Sequence, residues 1–171
     1  GEPGEVLLRG ELGAALAEVA IERTDDRTAR GWLHHAFGVL ERERGELERA
    51  RAELERAIAI TIQLRGDDDL DVGIARIDLG FALLDAGRRS EASDAFRQAQ
   101  AILAATVGPT HSLNDMVLGG RCRVENERGR YDVALALCSE ALDRPETRSG
   151  SPVTKGMLQL QLARALHGLG D

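Results

Sequence analysis

Residues 71–103 read DVGIARIDLGFALLDAGRRSEASDAFRQAQAIL, two runs of helix-forming residues on either side of Gly87. Leu79, Leu83, Phe96 and Ile102 fall at helical spacings and mark the inward faces of the two runs. Gly80, Ala92 and Ala99 are small where those faces meet, which lets two antiparallel helices approach closely. Gly87 ends the first run, at the place where a left-handed backbone is cheapest for glycine. At a rise of 1.5 Å per residue each helix spans on the order of 20 Å. The segment therefore reads as a helical hairpin.

The same hairpin recurs along the chain. Gly45, Gly87 and Gly129 stand 42 residues apart, as do Ala50, Ala92 and Ala134, and Ala57, Ala99 and Ala141. Gly38 and Gly80 share that step, and so do Leu54, Phe96 and Cys138. One hairpin cannot bury its apolar faces alone, so neighbours must stack into a superhelix. The expected architecture over residues 1–171 is an all-α solenoid of antiparallel helix pairs, with repeats at 31–64, 73–106 and 115–144. ELGAALAEVAIERTDD at 11–26 aligns with ELERAIAITIQLRGDD at 53–68, so 5–22 is expected to be the second helix of a preceding repeat. VTKGMLQLQLARALHGLGD at 153–171 reads as one more first helix over 153–170, one residue short of the strict period. Gln159, Gln161 and Arg164 would also suit it to act as a cap. These half-repeats, with an opening Gly-Glu-Pro-Gly and no initiator Met, point to a segment of a larger protein.

Apolar residues make up 43% and aromatics only 3%, so the core must be built from Ala, Leu, Ile and Val. The formal charge is −7, and the basic residues are dispersed among acids, so no basic stripe is present for nucleic acid or an anionic membrane. Lys155 is the sole lysine; the Arg-, Ala- and Gly-rich composition reads as that of a GC-rich genome. There is neither a membrane-length apolar run nor a secretory signal pattern, which makes a cytoplasmic setting the default.

LGFALLDAGRRSEASDAFRQAQ, residues 79–100, resembles the tetratricopeptide repeat in its Leu-Gly pair, its Gly seven residues later, and the Ala, Phe and Ala that follow. The 42-residue period and linkers such as VGPTHSLND at 107–115 are similar to the long repeats of kinesin light chains and of many bacterial multidomain proteins. HEAT and armadillo arrays share a period near 40 but do not place Gly and Ala at these spacings. The resemblance implies a right-handed superhelix whose first helices line a concave face that captures peptides or protein segments. Carried over, that groove holds Trp32, His35, Val39 and Arg42, then Ile74, Ile77, Phe81, Leu84 and Asp85, then Met116, Gly119, Arg123 and Asn126, then Met157, Leu160 and Arg164. Ile74, Ile77, Phe81 and Leu84 form an apolar stripe opposite the inward face, either a binding patch for an apolar-anchored segment with acidic flanks or core covered by neighbouring repeats. The resemblance also implies a setting in a larger bacterial regulatory protein. Self-association is the alternative, with a homo-oligomer formed through the groove or an open end.

Several positions depart from the family pattern: His34 and Glu41 in the first repeat, and Arg121, Cys122 and Glu125 in the third, where Arg121 and Glu125 are spaced to pair along one helix. His34 and His35 are adjacent and diverge on a helix, which argues against a metal site. The acidic run Asp67, Asp68, Asp69 and Asp71 lacks the glycine and final glutamate of a calcium loop and is expected to cap the next helix. His111 is read as a structural part of its linker. Cys122 and Cys138 face each other within one repeat; a bond between them is conceivable, but buried free thiols are the expectation in a cytoplasmic setting. No nucleophile–base pair, phosphate loop or Cys/His metal framework is visible, so neither enzyme activity nor a cofactor is expected.

Overall fold

In the structure, a computed structural model, residues 13, 15, 16, 18–145, 147 and 151–170 are described. Regular structure among them is α-helical throughout: α1 (Arg27–Glu43), α2 (Leu47–Arg65), α3 (Leu70–Asp85), α4 (Arg89–Thr106), α5 (Leu113–Glu127), α6 (Tyr131–Asp143) and α7 (Pro152–Leu169). The described residues between 13 and 23 are helical too; the rest of the expected helix at 5–22, namely 5–12, 14 and 17, lies outside the described residues. Each helix packs on the next, and the first helices α1, α3, α5 and α7 also lie side by side.

The turns repeat as the glycine column requires. Gly45, Gly87 and Gly129 have φ of +80°, +74° and +74°, and each donates its N–H three residues back, to Arg42, Leu84 and Asn126. The residue after each glycine donates five back, to Glu41, Leu83 and Glu125. This pair of bonds satisfies the open carbonyls at a helix end and reverses the chain. Asp26 and Asp69 cap α1 and α3 by accepting from backbone N–H groups, which accounts for part of the acidic run before α3.

The two helices of a hairpin meet at one tight pair. A Cβ on Gly38 would lie 2.7 Å from Leu54 Cγ, and one on Gly80 would lie 2.7 Å from Phe96 Cε1. A Cβ on Gly120 would likewise collide with Phe96, so that ring fills holes in its own hairpin and in the next. In the third hairpin the same register holds Cys122 and Cys138, which are joined in a disulfide with Cα atoms 5.8 Å apart. The expectation of separate thiols is corrected here. The close approach that glycine permits elsewhere also brings these two Cα atoms within bonding range. A second pair shows the same exchange. Gly31 and Gly73 receive Ile60 and Ile102, whereas the equivalent Asp115 and Arg144 form an ion pair at 3.3 Å.

The polar departures are paired rather than stranded. Glu41 has no exposed surface and accepts from Arg44 in its own turn at 2.8 Å, with Arg49 at 3.6 Å. Glu125, one turn residue equivalent to it two repeats later, is held by Arg128 and Arg130. Arg121 does not reach Glu125 as its spacing implied; it crosses to the preceding repeat and donates to Gln100 Oε1 at 2.7 Å. His34 Nδ1 meets Glu53 Oε2 at 2.5 Å, tying α1 to α2.

Two glycine-to-alanine changes should move stability in opposite directions. Gly80→Ala should cost about 1–3 kcal/mol by overpacking against Phe96, despite the gain in helix propensity. Gly156→Ala, where a Cβ meets nothing within 4 Å, should gain about 0.5–1 kcal/mol. Denaturant midpoints report both; a gain at Gly80 would mean that the helices do not meet there.

Candidate functional site

Because the first helices lie side by side, their outward residues share one surface. Side chains from α1, α3, α5 and α7 surround a cleft of about 570 Å³. Phe81, Met116 and Met157 supply apolar surface, and Val153 and Leu160, 82% and 53% exposed, stand along α7. Arg42, Arg123 and Arg164 bring positive charge to the cleft, with Asp78, Thr154 and Gln161 as further polar lining. Gly119 leaves no room for a Cβ beneath Met157, which seats α7 close to α5.

Two of the three arginines are already engaged. Asp85 accepts from Arg42 Nε at 2.7 Å and from Arg123 Nη1 at 2.8 Å, while Arg123 Nε reaches Glu127 at 2.9 Å. Burial works against the Arg123 charge, but its hydrogen bonds to Asp85 and Glu127 outweigh it and raise the guanidinium above its ordinary range. These half-exposed pairs contribute little singly, about 0.2–1 kcal/mol each, but together they tie α1, α3 and α5 at one end of the cleft. Arg42 also lies over the Phe81 ring, 5.3 Å from its centroid. Arg164 has no acidic partner among the described residues.

The expected groove residues divide into four groups. Arg42, Phe81 and Arg123 line the cleft, together with Met116, Met157, Leu160 and Arg164. Trp32, His35 and Ile74 line a separate cavity of about 150 Å³ between α1, α2 and α3, with the indole 61% exposed at its edge. His35 Nε2 lies 2.7 Å from Asp78 Oδ2, a contact that ties α1 to α3. Val39 is half-buried and borders neither space. Ile77 and Leu84 are core residues, and Asn126 is buried, donating to the Gln161 carbonyl at 2.8 Å as a link between α5 and α7. Phe81 is only 6% exposed and stacks edge-on against Phe96 at 5.1 Å, so one edge of the ring belongs to the core. The stripe on α3 is thus mostly covered, because α1 and α5 flank α3 on both sides.

Asp78, Val153 and Thr154 line the cleft without having been expected there, and Gln161, expected as a cap, is buried at its edge. Asp78 lies three residues before Phe81, and Val153 and Thr154 precede Met157 by one helical turn. That spacing was visible; which residues border a space between helices depends on how the helices are tilted against each other.

The likeness to known proteins follows this geometry. A kinesin light chain from Podosopora anserina with nearly identical TPR-like repeats superposes with a TM-score of 0.71 at 19% identity, over 98% of this chain and 80% of that one. A single-residue variant of that protein gives 0.73. BtubC (BKLC) from P. vanneervenii superposes with 0.78 at 14% identity, over 92% of this chain and 65% of its own length. These likenesses show a right-handed superhelical solenoid and speak for the fold alone. Among curated proteins, none matches the sequence. The tetratricopeptide repeat family model matches residues 14–105. This chain belongs to the tetratricopeptide repeat family.

Proposed function

We propose that the chain, with repeats at 31–64, 73–106 and 115–144, is a protein-interaction scaffold. Its cleft between α1, α3, α5 and α7 takes a peptide or segment of another protein. The observation that carries this reading is the grouping of exposed apolar side chains, Val153 and Leu160, with Arg164, which has no acidic partner among the described residues, beside the apolar surface of Met116 and Met157. Exposed apolar surface around a cleft is costly in water and favours a ligand with an apolar anchor. Arg164 favours a carboxylate next to that anchor, since charge-assisted hydrogen bonds are the stronger kind. Arg42 and Arg123 serve as a fixed rim, their charges being spoken for by Asp85 and Glu127. Trp32, His35 and Ile74 form a second contact zone along the same array, and Val39, half-buried on the same helix as Trp32 and His35, borders neither space. Ile77, Leu84 and Asn126 serve as scaffold beneath.

Selection from a random peptide library, read by sequencing, tests this proposal. Peptides enriched on the wild-type chain should share an apolar residue beside an acid and lose at least about tenfold in affinity on Leu160→Asp/Arg164→Glu, the loss of roughly 1.4 kcal/mol or more that one desolvated anchor or ion pair supplies. Enriched peptides that bind the double variant equally would place recognition elsewhere.

A second reading, self-association, is favoured by the outer face of α7. Gly156 occupies the register of Gly31 and Gly73, which receive Ile60 and Ile102, yet among the described residues nothing approaches it within 4 Å. Light scattering over a hundredfold dilution decides it: a falling mass supports a copy seated there, and a constant monomer mass removes that reading.

A further inference from the structure

All three hairpins close on equivalent positions, and the third does so with sulfur. Gly38 with Leu54 and Gly80 with Phe96 are holes filled by large side chains, whereas Cys122 and Cys138 meet by a covalent bond. Both cysteines are fully buried, and the chain has no other cysteine to exchange with. They lie within a small core of their own, with Leu118, Ala134, Ala141, Leu158 and Ala165. Leu158 and Ala165 belong to α7, so the disulfide lies in the surface on which α7 is seated. The same helix carries Val153, Met157, Leu160 and Arg164 into the cleft.

We propose that the Cys122–Cys138 disulfide is a redox control on the cleft: closed, it seats α7 against α5 and α6, and opened by a dithiol reductant it releases α7 from that seat. Both sulfurs are buried, so a local opening of the third hairpin first exposes the bond; a thiolate of the reductant then attacks one sulfur, the S–S bond breaks, and the departing Cys thiolate takes a proton. The second thiol of the reductant then displaces the mixed disulfide. Two electrons and two protons pass to the protein, which gains two thiols, and the reductant leaves as its own disulfide. Packing sets the direction of the effect. Two thiols each need a van der Waals shell where one bonded pair sat, and this hairpin has no glycine hole to receive either. Overpacking at a fully buried site moves the helices rather than the solvent. The apolar cluster around the two cysteines draws its residues from α5, α6 and α7, so the change is centred on those helices.

The consequence for ligand binding rests on the cleft being the partner site, whereas the seating of α7 does not, and the test measures the seating without any partner. Hydrogen–deuterium exchange by mass spectrometry is followed on the 171-residue chain, oxidised and in excess dithiothreitol, with alkylation confirming the thiol state. Reduction should speed exchange across residues 152–169 roughly tenfold or more while residues 27–106 stay unchanged. Cys122→Gly/Cys138→Leu or Cys122→Gly/Cys138→Phe, which copy the pairs of the first and second hairpins, should keep the slow exchange in both conditions. Unchanged exchange at 152–169 in the fully reduced chain overturns the proposal, and so does a uniform rise that includes 27–106.

Discussion

The structure depends on the distance between the two helices of each hairpin at one residue pair. Leu54 and Phe96 enter holes that exist only because Gly38 and Gly80 have no side chain. That contact fixes how far apart the helices run, and the glycine turn seven residues on fixes their direction. The repeat of both in steps of 42 places every first helix on one side of the array. The cleft is a consequence of that placement, since it is lined by first helices and α7. Interiors are packed as tightly as crystals, so a spacing set at one pair is transmitted to the whole hairpin.

The third hairpin reaches the same spacing by other chemistry. A disulfide replaces glycine against a large side chain, and the Asp115–Arg144 ion pair replaces Gly against Ile at the outer contact. The ion pair is a poor substitute energetically, because burying two charges costs about what their attraction returns. The covalent bond acts on the unfolded chain as well, closing a short loop across one turn. The buried Glu41 and Glu125 follow a related logic, each clamped by arginines of its own turn. Two departures of the third hairpin, Cys122 with Cys138 and Asp115 with Arg144, are therefore paired exchanges in which a change on one helix is matched across the hairpin.

Much of this was legible in the sequence. The columns at Gly45, Gly87 and Gly129 and at Leu54, Phe96 and Cys138 already implied hairpins, their turns and their close approach. Asp69 as a cap followed from the same alignment, and the resemblance set Arg42, Phe81, Arg123 and Met157, which border the cleft, on one face of the array. Three things were not legible. Burial of Ile77 and Leu84 depends on helices from two other repeats, which no single helical wheel contains. The partner of Arg121 is Gln100 in another hairpin, where local spacing offered Glu125 four residues away. The bonded state of Cys122 and Cys138 depends on redox conditions as well as geometry, so facing positions alone left it open.

The equivalence of the three hairpin contacts is the claim from which the rest follows, and cysteine transplantation measures it directly. In a background of Cys122→Gly/Cys138→Leu, the pairs Gly38→Cys/Leu54→Cys and Gly80→Cys/Phe96→Cys are oxidised in air, and cross-linking is read by intact mass. The account predicts near-complete disulfide formation in both, and little with Gly80→Cys/Arg97→Cys, one residue out of register. Cross-linking that fails at the matched pairs, or proceeds equally at the mismatched one, would contradict it.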